Sequence, residues 1–252
     1  MEESYNIGVD VGGSHISCAF VNITTGEIIE KSLVEIQIDS NGSIQEFTES
    51  LGLLFKKLFA TTTQNYFSGI GIAMPGPFDY ENGISKIKGV QKFDALYNIN
   101  IKQIFREVLN KDDISIFFTN DAICYALGEY YAGAAQNSAR TIEVTLGTGF
   151  GSTFLIDGVT QSIEGNGVPP DGYLYNIPFK ESIADDYFST RWFVETCKEK
   201  FGLEVSGARE TADLAKKNDS RALVVFEEFA ENLAEMIFPW VDKFKPDTFV
   251  IG

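Results

Sequence analysis

The chain repeats itself, and that repeat limits the folds open to it more than any other feature. A segment starting at Ile7, IGVDVGGSHISCAFVN, returns as IEVTLGTGFGSTFLIDG from Ile142. At a constant offset of 135 residues, Ile7 matches Ile142, Val9 matches Val144, Val11 matches Leu146 and Gly12 matches Gly147. Beyond the glycines, Ser17 matches Ser152, Phe20 matches Leu155 and Val21 matches Ile156. Each copy is an apolar run, a Gly-rich break and a second apolar run, the pattern of a β-hairpin with a tight turn. Duplication and a chance likeness of two Gly-rich hairpins both explain it. Duplication is weighed first because a missed repeat misassigns the whole fold.

Around the first hairpin, residues 27–36 read as a third strand. An amphipathic helix over 43–58 carries Ile44, Phe47, Leu51, Leu54, Phe55 and Leu58 on one face, with Ser43 and Glu46 as its capping box. Then come a strand at 68–73, a helix at 101–109, a buried-type strand at 114–118 and a helix at 122–132. After the second hairpin, 158–179 is a Gly-, Pro- and Asp-rich loop, and long loops in compact domains tend to be functional. Helices are expected at 183–201, capped by Ser182, and at 221–244, kinked by Pro239, with a last strand at 248–251. This order predicts an α/β fold built twice, with domains at 1–118 and 119–252.

Charge narrows the partners. Twenty Lys and Arg against 36 Asp and Glu leave a net charge of −16, so no positive field exists to attract nucleic acid or an anionic membrane. A hydrophobic fraction of 44% excludes a disordered acidic tail. Cys18, Cys124 and Cys197 are too scattered for a disulfide framework, and with His15 as the sole histidine no zinc spacing is present. The start MEESYNIG lacks the basic and apolar regions of a signal peptide, and no apolar run approaches the roughly 20 residues of a membrane span. A cytoplasmic protein is expected.

Four segments can carry chemistry. Asp10 precedes Gly12, Gly13 and Ser14, a turn whose N–H groups can face a phosphate, while Asp10 can hold Mg²⁺ directly or through water. An ordinary hairpin turn with a solvent-facing Asp is the alternative. His15 beside it is a phosphate donor or simply a hairpin residue. Gly147, Thr148, Gly149 and Gly151 form the second such turn; a strand follows it, unlike the nicotinamide fingerprint, where a helix does. Asp121 opens a helix after Thr119 and Asn120, where it serves either as general base or as a plain N-cap. Gly76, in Met74-Pro75-Gly76-Pro77, belongs to a rigid loop or a strand terminator.

In order along the chain, IGVDVGGSHISCAF, GIAMPGPFDYENG, TNDAICYALGEYYAG, VTLGTGFGSTFLIDG and the closing FVIG resemble the ROK family of sugar kinases and sugar-responsive repressors. That resemblance implies a duplicated, two-lobed α/β fold of the actin-like ATPase (ribonuclease H-like) type, with ATP and a sugar held between the lobes. It places Gly12, Gly13, Ser14, Gly147, Thr148, Gly149 and Gly151 on the ATP phosphates, with His15 and Gly252 on the same ligand. Gly76 and Asn120 then contact the sugar, Asp121 is the base, and Asp10 helps place Mg²⁺. A homodimer is implied as well. The expected activity is phosphorylation of a hydroxyl of a hexose or N-acetylhexosamine type of sugar; the alternative is a non-catalytic sugar sensor without a DNA-binding domain.

The sequence departs from the family pattern in three places. The family's Gly-Glu-x-Gly-His element has its best match from Gly172, which puts Tyr173 at the Glu position and Asn176 at the His position. Glucose specificity therefore does not carry over. The cysteine cluster that binds zinc in the family is absent, so no zinc is expected. The first strand begins by Tyr5, leaving no space for a helix-turn-helix, and the chain stops at Gly252 where the family continues, so its second domain reads as cut short.

Overall fold

The computed structural model describes residues 4–62, 67–89 and 92–252; Met1, Glu2 and Glu3 of the MEESYNIG start lie outside them. The chain divides into two compact units, Met1–Cys124 and Tyr125–Gly252. That division falls inside a helix, a little beyond the 118/119 boundary read from the sequence. Among the described residues no helix is long and apolar enough to cross a membrane.

The first unit contains β1 (Tyr5–Val11), β2 (His15–Asn22), β3 (Val34–Gln37), α1 (Ile44–Thr61), β4 (Gly69–Met74), β5 (Phe78–Asp79), β6 (Ile84–Ser85), α2 (Ile101–Leu109) and β7 (Ser115–Asn120). Helix α3 (Asp121–Ala132) starts here and runs into the second unit. The main sheet has the order β3-β2-β1-β4-β7, with β1, β4 and β7 parallel and the β1–β2–β3 meander antiparallel. Period-2 alternation puts Ile7, Val9 and Val11 into the core, where Leu51, Leu54 and Leu58 of α1 are fully buried. Each such leucine contributes roughly 1.5–3 kcal/mol on burial. Phe55 and Phe105 meet edge-to-face at 6.0 Å and join α1 to α2. The capping box forms as expected: Glu46 N donates to Ser43 Oγ at 3.2 Å, and Ser43 N donates to Glu46 Oε2 at 2.7 Å.

The second unit contains β8 (Arg140–Leu146), β9 (Phe150–Ile156), β10 (Val159–Thr160), β11 (Pro178–Phe179), β12 (Ser182–Ile183), α4 (Ala184–Tyr187), α5 (Thr190–Phe201), α6 (Ala208–Lys216), α7 (Ser220–Phe244) and β13 (Thr248–Ile251). Its sheet has the order β10-β9-β8-β13, with β8–β9 antiparallel and β8–β13 parallel. A hairpin flanked by a parallel strand is thus built twice, as β2-β1-β4 and as β9-β8-β13. Phe154, Phe188 and Phe244 are fully buried in the second core.

The constant offset fails after the glycines. Val11 pairs with Ile16 around a four-residue loop, whereas Leu146 pairs with Phe150 around three residues. The second turn is one residue shorter, so Phe20, opposite Ile7, corresponds to Phe154, opposite Ile142, and not to Leu155. A one-residue slip changes which face a side chain occupies, and both phenylalanines lie in their respective cores.

Two other expectations need correction. The strand read at 27–36 is broken by a short 3₁₀ turn at Glu30–Ser32, leaving only β3 extended. Ser32 Oγ accepts from Phe20 N at 2.8 Å and donates to Ile29 O at 2.6 Å, so its side chain replaces a ladder bond. The helix read at 183–201 is two helices, α4 and α5, with Ser189 and not Ser182 at the start of the longer one. Thr190 turns both its N–H and its hydroxyl to the Gly147 carbonyl, at 2.8 and 2.9 Å, which interrupts the run. Helix α7 continues past Pro239 to Phe244. Helix α6 was not expected from the sequence; it buries Thr211 and packs Ala208 and Leu214 against the second core.

Candidate active site

In the first unit the candidate residues gather at the carboxyl ends of the parallel strands, where open α/β sheets bind ligands. Asp10 sits opposite Ala73, Ala73 opposite Thr119 and Met74 opposite Asn120, so the ends of β1, β4 and β7 form one row. Gly76 follows β4, and Asp121 opens α3 directly after β7, exposed to solvent. Ala122 N donates to both Asn120 Oδ1 and Asp121 Oδ1 at 3.0 Å, so capping is real at both positions. It does not consume them: each keeps an acceptor site or donor, and the second Asp121 oxygen is left over.

Tyr80, which sequence reasoning missed, organises this corner. Its hydroxyl accepts from Asn120 Nδ2 at 3.2 Å and donates to the Met74 carbonyl at 3.1 Å. A Cβ at Gly76 would lie 3.3 Å from the same hydroxyl, so any larger residue there would press on Tyr80. Asn120, Tyr80 and the end of β4 are one hydrogen-bonded cluster, with Gly76 beside the Tyr80 hydroxyl. No local pattern in the sequence links Tyr80 to Asn120.

The electrostatics of the row are those of crowded anions. Burial at the strand end and then the charge of Asp121 raise the Asp10 carboxyl above the usual range, with His15 opposing them, although Asp10 keeps a solvent-facing edge. One turn along α3, Cys124 is pushed up to about 11 by burial, then by Asp10 and Asp121. Asp10 therefore senses Asp121, and Cys124 senses both.

Of the first turn, Gly12 N is committed to His15 O at 2.9 Å, and Ser14 O accepts from Ile38 N at 2.9 Å. Ser14 Oγ and His15 Nδ1 lie 3.1 Å apart. Gly13 is exposed, with nothing within 4 Å of where a Cβ would stand, so a ligand can approach its backbone closely.

The second turn is Gly147, Thr148 and Gly149. Gly147 N donates to Gly149 O at 3.1 Å, and Phe150 N donates to Asp185 Oδ1 at 2.7 Å. A Cβ on Gly149 would come within 2.8 Å of that oxygen, so a larger residue there would have to push the Asp185 carboxylate aside. Gly252 reaches the base of the turn, where its carbonyl accepts from Leu146 N at 2.7 Å. Gly151 lies inside β9 opposite Thr145, beyond the turn itself. Tyr173 is half-buried and Asn176 exposed, on a loop fastened to β9 by Ser152: Leu174 N donates to Ser152 Oγ at 2.8 Å, and Ser152 Oγ donates to Gly172 O at 3.2 Å. Asp171, exposed and left-handed at φ 55°, is a carboxylate on this loop that sequence reading did not single out.

The sequence profile of the ROK family matches residues 6–170. The chain is 24% identical over 266 residues to the glucokinase of Thermotoga maritima, covering 98% of this chain and 80% of that protein. It is 25% identical over 263 residues to the N-acetyl-D-glucosamine kinase of Haemophilus influenzae, covering 97% and 82%. The crystal structure of a ROK family glucokinase from Streptomyces griseus, in complex with glucose and AMPPNP, superposes with a TM-score of 0.76 at 19% identity. That match covers 99% of this chain and 83% of the glucokinase. The fold, a duplicated α/β arrangement, is therefore that of the actin-like ATPases to which the ROK sugar kinases belong. With the family profile matching well over half of its length, this chain belongs to the ROK family.

Proposed function

We propose that the chain transfers the γ-phosphoryl group of ATP to a hydroxyl of a hexose or N-acetylhexosamine type of sugar, with Asp121 as general base. One observation carries this reading: Asp10, Gly76, Asn120 and Asp121 line up at the carboxyl ends of three parallel strands. Asn120, steadied by Tyr80, orients the sugar. Asp121 accepts the proton of the attacking hydroxyl as its oxygen bonds to the γ-phosphorus, while the bond to the β-γ bridging oxygen breaks and ADP leaves. The turn amides at Gly13, Thr148 and Gly149 offer N–H groups to phosphate oxygens. Family resemblance, the kinase relatives and the glycines at both turns support the same assignment.

The residues present suit Mg²⁺. The charge of Asp121 adds to the cost of ionising Asp10, and a divalent cation relieves that. Among the described residues no group of three or more His, Cys, Asp or Glu side chains is able to hold a metal. Asp10 would therefore share the ion with phosphate oxygens, as Mg²⁺ usually does. When bound, the ion neutralises phosphate charge, which a protein of net charge −16 otherwise repels.

A coupled ADP-release assay across hexoses, N-acetylhexosamines and N-acylmannosamines tests the reading. At least one sugar is expected to support turnover well above the Asp121→Asn control. Sugars that raise the melting temperature without supporting turnover would leave a sugar sensor instead. Tyr80→Phe removes both hydroxyl bonds and leaves the Asn120 amide held on its oxygen side, by Ala122 N, without the Tyr80 bond to its nitrogen. Its expected result is a sugar KM raised about tenfold with kcat changed less, since one such bond is worth roughly 0.5–1.5 kcal/mol and a stranded polar group somewhat more. An unchanged sugar KM would show that Asn120 does not depend on Tyr80.

A further inference from the structure

The two glycine turns are braced differently. The first is held by local contacts and one neighbouring strand, through the backbone bonds Gly12 N to His15 O and Ile38 N to Ser14 O and the Ser14 Oγ–His15 Nδ1 contact within the turn. The second is held by a side chain from a distant part of the chain. Asp185 Oδ1 accepts from Phe150 N at 2.7 Å, and Asp185 Oδ2 accepts from the Arg191 guanidinium at 3.0 Å. Arg191 also reaches Asp186 Oδ1 at 3.5 Å. Thr190, between them in sequence, bonds the Gly147 carbonyl twice. The start of α5 and the residues before it thus grip both ends of the turn.

The same Asp185 has a second attachment through its backbone. Its N–H donates to the Tyr175 carbonyl at 2.9 Å, on the loop that carries Tyr173 and Asn176. Asp185 therefore stands between the turn and that loop, its carboxylate on one and its amide on the other. A carboxylate at a phosphate cradle is unfavourable by itself. Here one oxygen is spent on an N–H and the other is neutralised by a guanidinium, so the group fixes the turn without presenting a bare charge.

We propose that Asp185 is a positioning residue for ATP. Its carboxylate, clamped by Arg191, sets the conformation of the second glycine turn, while its backbone N–H anchors the Tyr173–Asn176 loop independently. This rests on the kinase reading of the turn, and it makes a separable claim: side-chain changes at 185 affect nucleotide binding and spare sugar binding, because the bond to the loop belongs to the backbone.

The test combines steady-state kinetics with amide hydrogen exchange on the full chain. Asp185→Ala is expected to raise the ATP KM about ten- to a hundredfold, as loss of a charge-assisted bond does, and to leave the sugar KM within about threefold. Asp185→Asn keeps an acceptor for Phe150 N and is expected to recover most of that loss. Arg191→Ala removes an exposed side chain and is expected to raise the ATP KM about three- to tenfold, so it decides the matter if Asp185→Ala does not fold. Phe150 amide exchange, read without any nucleotide, should accelerate in Asp185→Ala and stay slow in Asp185→Asn. An unchanged ATP KM, a sugar KM rising in step with it, or unaltered Phe150 exchange overturns the proposal. A wild-type protein that releases no ADP with any sugar overturns the kinase reading instead, and Phe150 exchange still decides whether Asp185 braces the turn.

Discussion

Replacing Asp121 by Asn is expected to lower kcat by about 10²- to 10⁴-fold, the range that positioned general bases contribute, with little change in either KM. The substitution is clean for a structural reason. The Ala122 N–H bonds one oxygen of Asp121 and also the Asn120 side chain, so an amide at 121 keeps the cap and the helix start. What disappears is the charge and the proton acceptor. Loss of the charge is separately visible: Asp10 is raised in part by Asp121, and Cys124 is held at about 11 by burial with Asp10 and Asp121 adding to it. Both groups should move down toward their ordinary values in Asp121→Asn. Measuring thiol reactivity of Cys124 against pH beside kcat therefore separates two outcomes. A lowered Cys124 pKa with unchanged kcat means that Asp121 faces Asp10 without acting as the base.

Features encoded within a few residues were legible in the sequence. The hairpins, the capping box at Ser43 and Glu46, and the pairing of Asn120 with Asp121 after a buried strand all depend on short-range pattern. Their placement in one row follows from the parallel register of β1, β4 and β7, which hydrophobic periodicity implies only as a class. Three things were not legible. The shorter second turn shifts β9 by one residue, and a constant offset hides such a slip because the consecutive apolar residues Ala19, Phe20 and Val21 of β2 and Phe154, Leu155 and Ile156 of β9 match nearly as well one residue out. Ser32 and Thr190 redirect the chain with side-chain bonds to partners 12 and 43 residues away, which breaks elements whose local pattern is continuous. Tyr80 and Asp185 likewise act on residues 40 and 35 positions distant, so nothing in their own surroundings marks them.

The duplication also exposes a cost in the second unit, and Glu143→Gln should remove much of it. At the equivalent place in the first sheet Gly8 lies beside Ala19 and Gly71, all small. In the second sheet Glu143 lies beside Thr153 and Val250, fully buried, and neither its carboxylate oxygens nor the Thr153 hydroxyl has a hydrogen-bond partner. Burial, with the charge of Glu129 adding to it, raises Glu143 from 4.5 to about 8. Tyr125, whose own hydroxyl is raised by burial and then by Glu129 and Glu143, shares that surrounding. A carboxyl whose folded pKa lies above its unfolded one is held protonated by the fold. Its contribution to stability therefore falls as pH rises from about 4.5 to about 8 and is level beyond. A tenfold change in proton affinity is worth about 1.4 kcal/mol, so the loss is on the order of 3 kcal/mol at pH 7 and about 5 kcal/mol above pH 9. Glutamine keeps the shape and cannot ionise, so Glu143→Gln should melt about 6–12 °C above wild type at pH 7, with the gap closing toward pH 5 and widening toward pH 9. Subtracting the two stability–pH curves cancels the other carboxylates of this acidic chain. Parallel curves across pH 5–9 would mean that Glu143 is ionised in the fold and that a partner compensates it.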